Sequence, residues 1–103
     1  MDSYNQTYEG MVLSQSNLSP EYDVCTFTNS DFTGIDLRDV NFEECKFHNC
    51  NFTDVKIKNT AFKNVQFEEC KMLGFQFSNC NPFLLEMNFN KCQLDYSSFY
   101  QLN

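Results

Sequence analysis

Residues 25–79 decide the fold, because they divide into eleven consecutive blocks of five: CTFTN, SDFTG, IDLRD, VNFEE, CKFHN, CNFTD, VKIKN, TAFKN, VQFEE, CKMLG and FQFSN. The central position of each block, called position i below, holds a large apolar residue. These residues are Phe27, Phe32, Leu37, Phe42, Phe47, Phe52, Ile57, Phe62, Phe67, Met72 and Phe77. Position i−2 is small or β-branched in nearly every block, and the other three positions are mostly polar.

A repeat of five residues fits neither regular element taken alone. An amphipathic helix repeats its apolar residues about every 3.6 positions, and a strand about every 2. A short strand followed by a tight turn does fit, because positions i−2 and i then lie on one face of the strand. Four such blocks predict a square coil of about 20 residues, with coils about 4.8 Å apart and central side chains stacked in four interior columns.

The blocks SDFTG, CNFTD and VNFEE match a known consensus: a small residue, Asp or Asn, Leu or Phe, then two polar residues. The chain therefore resembles the pentapeptide-repeat family. Its Phe-rich centres and Cys-rich i−2 positions are most similar to the quinolone-resistance (Qnr-type) branch. The resemblance implies an all-β fold, a right-handed quadrilateral parallel β-helix of about four coils. We expect one domain over residues 1–103, with residues 1–24 as an irregular N-terminal cap or first coil.

The five-residue spacing breaks once, after Cys80, and resumes in blocks centred on Phe89, Leu94 and Phe99. Removing two residues brings these centres onto the columns of Phe67, Met72 and Phe77. We therefore expect residues 81–86 to form a bulge or short loop on the face whose column holds Phe42 and Phe62, or at the corner after it. Its Phe83 and Leu84 are candidate partner contacts, and the alternative is a merely tolerated insertion.

All six cysteines occupy position i−2, which favours a role in the core. They are Cys25, Cys45, Cys50, Cys70, Cys80 and Cys92. We expect them to be reduced, and we expect no metal site and no cofactor. His48 falls on an outward position and is expected to be solvated. Because no catalytic motif is present and the carboxylate pairs fall on open corners, the chain is not expected to be an enzyme.

Charge divides the chain into two unequal halves. The total is −7, with ten acids and two bases in residues 1–54 but four acids and five bases in residues 55–103. An acidic chain is unsuited to direct nucleic-acid binding. Its N-terminal half would attract a basic partner. The equally weighted alternative is that these acids only keep the protein soluble. The candidate partner-binding acids are Asp31, Asp36, Asp39, Glu43, Glu44 and Asp54. Without a signal peptide or a membrane-spanning run, we expect no membrane contact and a cytoplasmic location.

Two functions remain open from the sequence. The resemblance implies a DNA mimic that binds type II topoisomerases, DNA gyrase and topoisomerase IV, and protects them from quinolones. The alternative is a general interaction or scaffold module, either by itself or as a fragment of a longer chain. Because solenoid ends expose apolar core, we also predict a homodimer joined through the C-terminal end, with Phe99, Tyr100 and Leu102 as candidate contacts.

Overall fold

The computed structural model describes residues 3–95 and shows a four-sided parallel β-solenoid of about four turns. The described residues contain nine short strands: β1 Ser3–Tyr4, β2 Thr7–Glu9, β3 Glu21–Asp23, β4 Thr26–Thr28, β5 Asn41–Glu43, β6 Lys46–His48, β7 Ala61–Lys63, β8 Val65–Glu68 and β9 Met87–Asn90. They form two parallel sheets in the orders β1-β3-β5-β7 and β2-β4-β6-β8-β9. The predicted fold class is therefore confirmed.

Two further faces complete the square and are joined by single parallel bridges. We number the faces by their central columns: Phe42 and Phe62 on face 1, Phe27 and Phe47 on face 2. Face 3 contains Phe32, Phe52 and Met72, and face 4 contains Leu37, Ile57 and Phe77. The bridges Asp31 to Asn51 on face 3 and Asp36 to Lys56 on face 4 repeat the 20-residue register of the two sheets.

The core consists of stacked aromatic columns. Along the solenoid axis, the Phe42 and Phe62 rings of successive coils lie 5.3 Å apart and nearly parallel, and Phe32 stacks on Phe52 at 4.5 Å. Rings of neighbouring columns meet edge to face, as Phe47 does with Phe52 at 5.0 Å. Burying each phenyl ring stabilises the coil by about 1.5–3 kcal/mol, and offset or edge-to-face aromatic contacts add to this. All the central residues from Phe27 to Phe77 are buried.

The corners explain the polar residues of the repeat. Position i+2 has a positive φ at Asn29, Asp39, Asn49, Asn59 and Asn64. Asn and Asp tolerate this left-handed conformation better than most residues, since their short polar side chains can form local hydrogen bonds. The sequence pattern therefore sets both the inward strand face and the turn that follows it.

The first coil is one residue shorter than the others. Tyr22 lies over Phe42 in the face 1 column, stacked at 5.2 Å, and β3 pairs in register with β5. The five-residue register therefore extends back to Tyr22. Tyr8 pairs with Phe27 across 19 positions, not 20. The missing residue falls between Leu13 and Tyr22, where the chain makes a turn.

The last described coil carries the insertion. Phe89 lies over Phe67, 22 positions earlier, with the two rings stacked at 5.4 Å. Phe89, Cys92 and Leu94 are partly exposed rather than buried, because no further described coil lies above them. Within residues 3–95, no helix has the length and apolar character needed to cross a membrane.

Candidate interaction surface

The acidic residues selected from the sequence lie on three faces rather than on one continuous stripe. Glu43 ends β5 on face 1, and Glu44 occupies the corner that follows it. Asp31 and Asp54 belong to face 3 and its corner, whereas Asp36 and Asp39 belong to face 4. The solenoid therefore brings together only some of these carboxylates.

Several of these carboxylates already have partners within the chain. Asp31 Oδ1 accepts hydrogen bonds from the Thr33 hydroxyl at 2.6 Å and from the Thr33 backbone N–H at 2.9 Å. These bonds, the hydroxyl first, lower the pKa of the Asp31 carboxyl. Asp39 Oδ1 accepts a bond from the Asn59 side-chain amide at 2.9 Å. Such carboxylates shape turns and corners as well as carrying charge.

On face 4 the negative charge is offset by nearby cations. Asp36 Oδ2 lies 3.7 Å from Arg38 Nη2, and its Oδ1 accepts a bond from the Arg38 backbone N–H. A backbone β-bridge also sets Lys56 beside Asp36 in the next coil, without an ion pair between their side chains. Face 4 is therefore of mixed charge and is a weaker candidate for an acidic interaction surface.

Face 1 carries a groove beside the inserted loop. It has a volume of about 430 Å³ and is lined by Glu43, Glu44, Lys63, Asn64, Leu84, Leu85 and Glu86. The 20-residue register places Lys63 beside Glu43. We call this feature the loop groove; it brings together two of the predicted acids and one of the predicted apolar contacts.

The loop above the groove is held by the coil beneath it. The backbone N–H of Asn81 donates to Thr60 O at 2.8 Å, and that of Glu86 donates to Phe62 O at 3.0 Å. Between these anchors, Phe83 and Leu84 are each 65% exposed. Lys63 Nζ lies 5.6 Å from the centre of the Phe83 ring, within the range of a cation–π contact.

Sequence reasoning selected Glu43, Glu44, Phe83 and Leu84 but missed the other residues of the groove. Lys63 could have been found, since it lies 20 positions after Glu43. Glu86 and Leu85 could not, because their placement depends on the path of the two extra residues. That path is not fixed by the five-residue repeat.

His48 has a partner that the sequence did not suggest. Its Nδ1 lies 2.9 Å from Glu68 Oε1 in the next coil, a hydrogen bond that becomes an ion pair when the imidazole is protonated. Donor atoms of His48, Glu68 and Glu69 all lie within 4.8 Å of one another. All three side chains are substantially solvent-accessible on face 2.

The cysteine thiols connect successive coils. Cys45 Sγ donates to Tyr22 O at 3.3 Å, and Cys70 Sγ donates to Phe47 O at 3.3 Å. Thr60 Oγ1 makes the equivalent bond to Leu37 O at 2.7 Å. A small donor at i−2 therefore satisfies a carbonyl one coil below. All six thiols are free.

Burial makes several of these thiols hard to ionise. It raises the pKa of Cys45 to about 12 and that of Cys80 to about 12. The pKa of Cys70 is also raised, first by its hydrogen bond with the Cys50 thiol and then by burial. Because thiolate is the reactive form, this arrangement favours a structural role.

The candidate dimer contacts Phe99, Tyr100 and Leu102 lie outside the described residues, so the C-terminal interface stays a prediction.

Comparisons with known proteins agree with this architecture. A family model described as a pentapeptide repeat region matches residues 40–103. The solved structure of full-length QnrB1, a plasmid-mediated fluoroquinolone resistance protein, matches with a TM-score of 0.70 and 20% identity, covering 96% of this chain and 49% of QnrB1. A trypsin-treated QnrB1 variant matches with a TM-score of 0.69 and 20% identity, over 96% of this chain and 50% of that one.

The chain thus spans about half the length of these QnrB1 structures. A search of curated protein sequences finds no match. The family match covers more than half of the chain, and the fold agrees with it. The chain belongs to the pentapeptide-repeat family.

Proposed function

We propose that this chain is a non-enzymatic binding protein that engages type II topoisomerases, DNA gyrase and topoisomerase IV, and protects them from quinolones. The observation that carries the proposal is an acidic N-terminal half, with ten acids against two bases in residues 1–54, on a fold shared with QnrB1. A negatively charged rod can occupy a basic surface that otherwise holds DNA. The homodimer through the C-terminal end belongs to this proposal.

Support for a binding role also comes from the shape of the molecule. The grooves among the described residues are open to solvent, and carboxylates such as Asp31 and Asp39 are exposed. General acid–base chemistry needs groups held in a site that shifts their pKa toward the working pH. The outward faces are better suited to contact with another macromolecule.

The test is DNA supercoiling by purified gyrase, with and without ciprofloxacin, over a titration of this chain up to low micromolar concentration. We expect the chain to raise the ciprofloxacin concentration needed for half-inhibition, or to inhibit supercoiling itself. A disordered acidic polypeptide of equal net charge is the matched control, because any polyanion competes with DNA to some extent. No effect beyond that control would contradict the proposal.

A general scaffold role is the second candidate. The mixed charge of face 4, where Asp36 lies beside Arg38 and Lys56, favours it because that face lacks the continuous negative field of a DNA duplex. A chain without effect on gyrase that still bound another protein through face 1 would support this role.

A further inference from the structure

We propose that the loop groove binds a segment of a partner protein that carries an arginine or lysine next to a leucine-like side chain. This inference rests on the proposed function only in taking the solenoid to be a protein-binding module, and it does not require that the partner be a topoisomerase. Two independent observations support it: the charges of the groove wall and the exposed apolar side chains of the loop above it.

The carboxylates of the groove are unpaired within the described chain. Glu43, Glu44 and Glu86 contribute three carboxylates to the groove, and Lys63 is its one lysine or arginine. Over residues 3–95, the ion pairs within 4 Å are those of Arg38 with Asp36 and of His48 with Glu68. None of the groove acids therefore has a cationic partner within 4 Å in this part of the chain, and a cationic side chain entering the groove would meet a net negative wall.

The loop presents apolar side chains where the repeat places polar ones. The backbone N–H of Leu85 donates to Pro82 O at 3.3 Å and closes a turn, with Leu84 at φ +55°. The same left-handed conformation occurs at regular corners such as Glu69, and it suits Gly or Asn better than leucine. Asn81 Oδ1 accepts a bond from the Phe83 N–H at 2.9 Å and fixes the turn.

An exposed leucine next to an exposed phenylalanine gives the fold no evident benefit. These apolar side chains lie beside three carboxylates, and the combination motivates a functional hypothesis. The apolar loop tip would pack against an apolar side chain of the partner while the glutamates receive its cation. A volume of about 430 Å³ accommodates a few side chains, in the range of about 300–1,000 Å³ typical of small binding sites.

The test uses the uniformly ¹⁵N-labelled full chain and four capped octapeptides, which are alternating Arg-Leu, Arg-Ser, Gln-Leu and Glu-Leu. Amide chemical shifts are followed during titration to 1 mM peptide. We expect saturable binding of the Arg-Leu peptide, at least fivefold tighter than the Arg-Ser and Gln-Leu peptides and absent for Glu-Leu. The shifted amides should be concentrated at residues 43–44, 63–64 and 81–86.

Two sets of variants separate the groove from general acidity. The triple variant Glu43→Gln, Glu44→Gln, Glu86→Gln should weaken binding at least tenfold. The matched triple variant Glu9→Gln, Glu68→Gln, Glu69→Gln makes the same change of charge with exposed residues of face 2 and should weaken it less than threefold. Both sets keep the side-chain length, so the backbone ladder is not disturbed.

A further variant separates binding from folding. Leu84→Asn relieves the left-handed strain, so we expect an unchanged or higher melting temperature together with at least fivefold weaker peptide binding. The proposal is overturned if no peptide binds by 1 mM, if shifts spread over all acidic faces, or if both triple variants lose affinity equally. Concentration-dependent shifts at the groove without peptide would also overturn it, because the occupant would then be a second copy of the chain. Gyrase protection is measured separately, so either proposal can fail while the other stands.

Discussion

Single residues in this solenoid contribute very different amounts to the free energy of unfolding, according to whether their side chains point inward or outward. Phe47 is fully buried between Phe27 and Phe67, whereas the side chain of His48 beside it is 43% exposed. We expect Phe47→Ala to lower the free energy of unfolding by about 3–5 kcal/mol. His48→Ala should cost less than about 1 kcal/mol, the range of an exposed pair. Urea unfolding of both variants checks this, and similar losses would contradict the assignment of inward and outward positions.

Among the described residues with a left-handed corner conformation, Val24 is the one with a β-branched side chain, at φ +56°. Such a residue is strained there by about 1–2 kcal/mol. We expect Val24→Gly to raise the free energy of unfolding, by less than that amount because glycine loses more backbone entropy on folding. Asn64→Gly, at the same corner two coils on, is the matched control and should change stability by less than about 1 kcal/mol. A fall in stability for Val24→Gly in thermal unfolding would show that the corner is not strained.

The thiols give a prediction with a definite pH direction. Burial raises the pKa of Cys45 and of Cys80 from 9.0 to about 12, so the folded state favours the neutral thiol. The resulting stabilisation is complete below pH 9 and is lost as the pH rises from about 9 to about 12. Thiol titration at pH 8 should show slow native reaction, fastest at the partly exposed Cys92, and six groups after denaturation. Several rapidly reacting native thiols would refute the buried placement.

At the scale of elements, the repeat specifies most of the fold. The central residues from Phe27 to Phe77 could be placed from the spacing, since a short strand followed by a tight turn buries one residue in every five. The right-handed quadrilateral form was implied by the family resemblance. The strand at Glu21–Asp23 was missed because the spacing from Leu18 to Tyr22 is four residues, which hides the register. The groove was only partly predictable, because the path of a loop depends on backbone anchors such as the bond from Glu86 N–H to Phe62 O.

The inserted loop should be removable as a unit. Deleting Phe83 and Leu84 removes the strained residue and restores the 20-residue spacing, while the anchors at Asn81 and Glu86 are kept. We expect the free energy of unfolding to change by less than about 1 kcal/mol, as surface loop length has a weak effect on stability. Deleting Thr53 and Asp54 is the control and should abolish cooperative unfolding, because it shifts a regular coil by two residues. A large loss for the first deletion would mean that the loop stabilises the solenoid.

At the scale of the whole molecule, the sequence predicts a homodimer through the C-terminal end, and residues 3–95 do not test this prediction. Solenoid ends leave an apolar layer and unpaired strand groups, and a two-fold contact closes without forming fibres. We therefore expect light scattering at micromolar concentration to give about twice the 12.1 kDa of the chain. Replacing Phe99 and Leu102 by serine should return the particle to monomer mass, whereas a monomeric wild-type chain would refute the interface.

The unequal coil lengths have a consequence for how such a surface can vary. The two added residues enlarge one side of a single coil and leave the next coil in register, since Phe89 still stacks on Phe67. Glu68 and Asn90 likewise remain aligned on face 2 after the insertion. Each face of the solenoid can therefore gain, lose or exchange outward residues while the other three faces keep their register from coil to coil. Mutation can then alter recognition on one side of the molecule independently of the others.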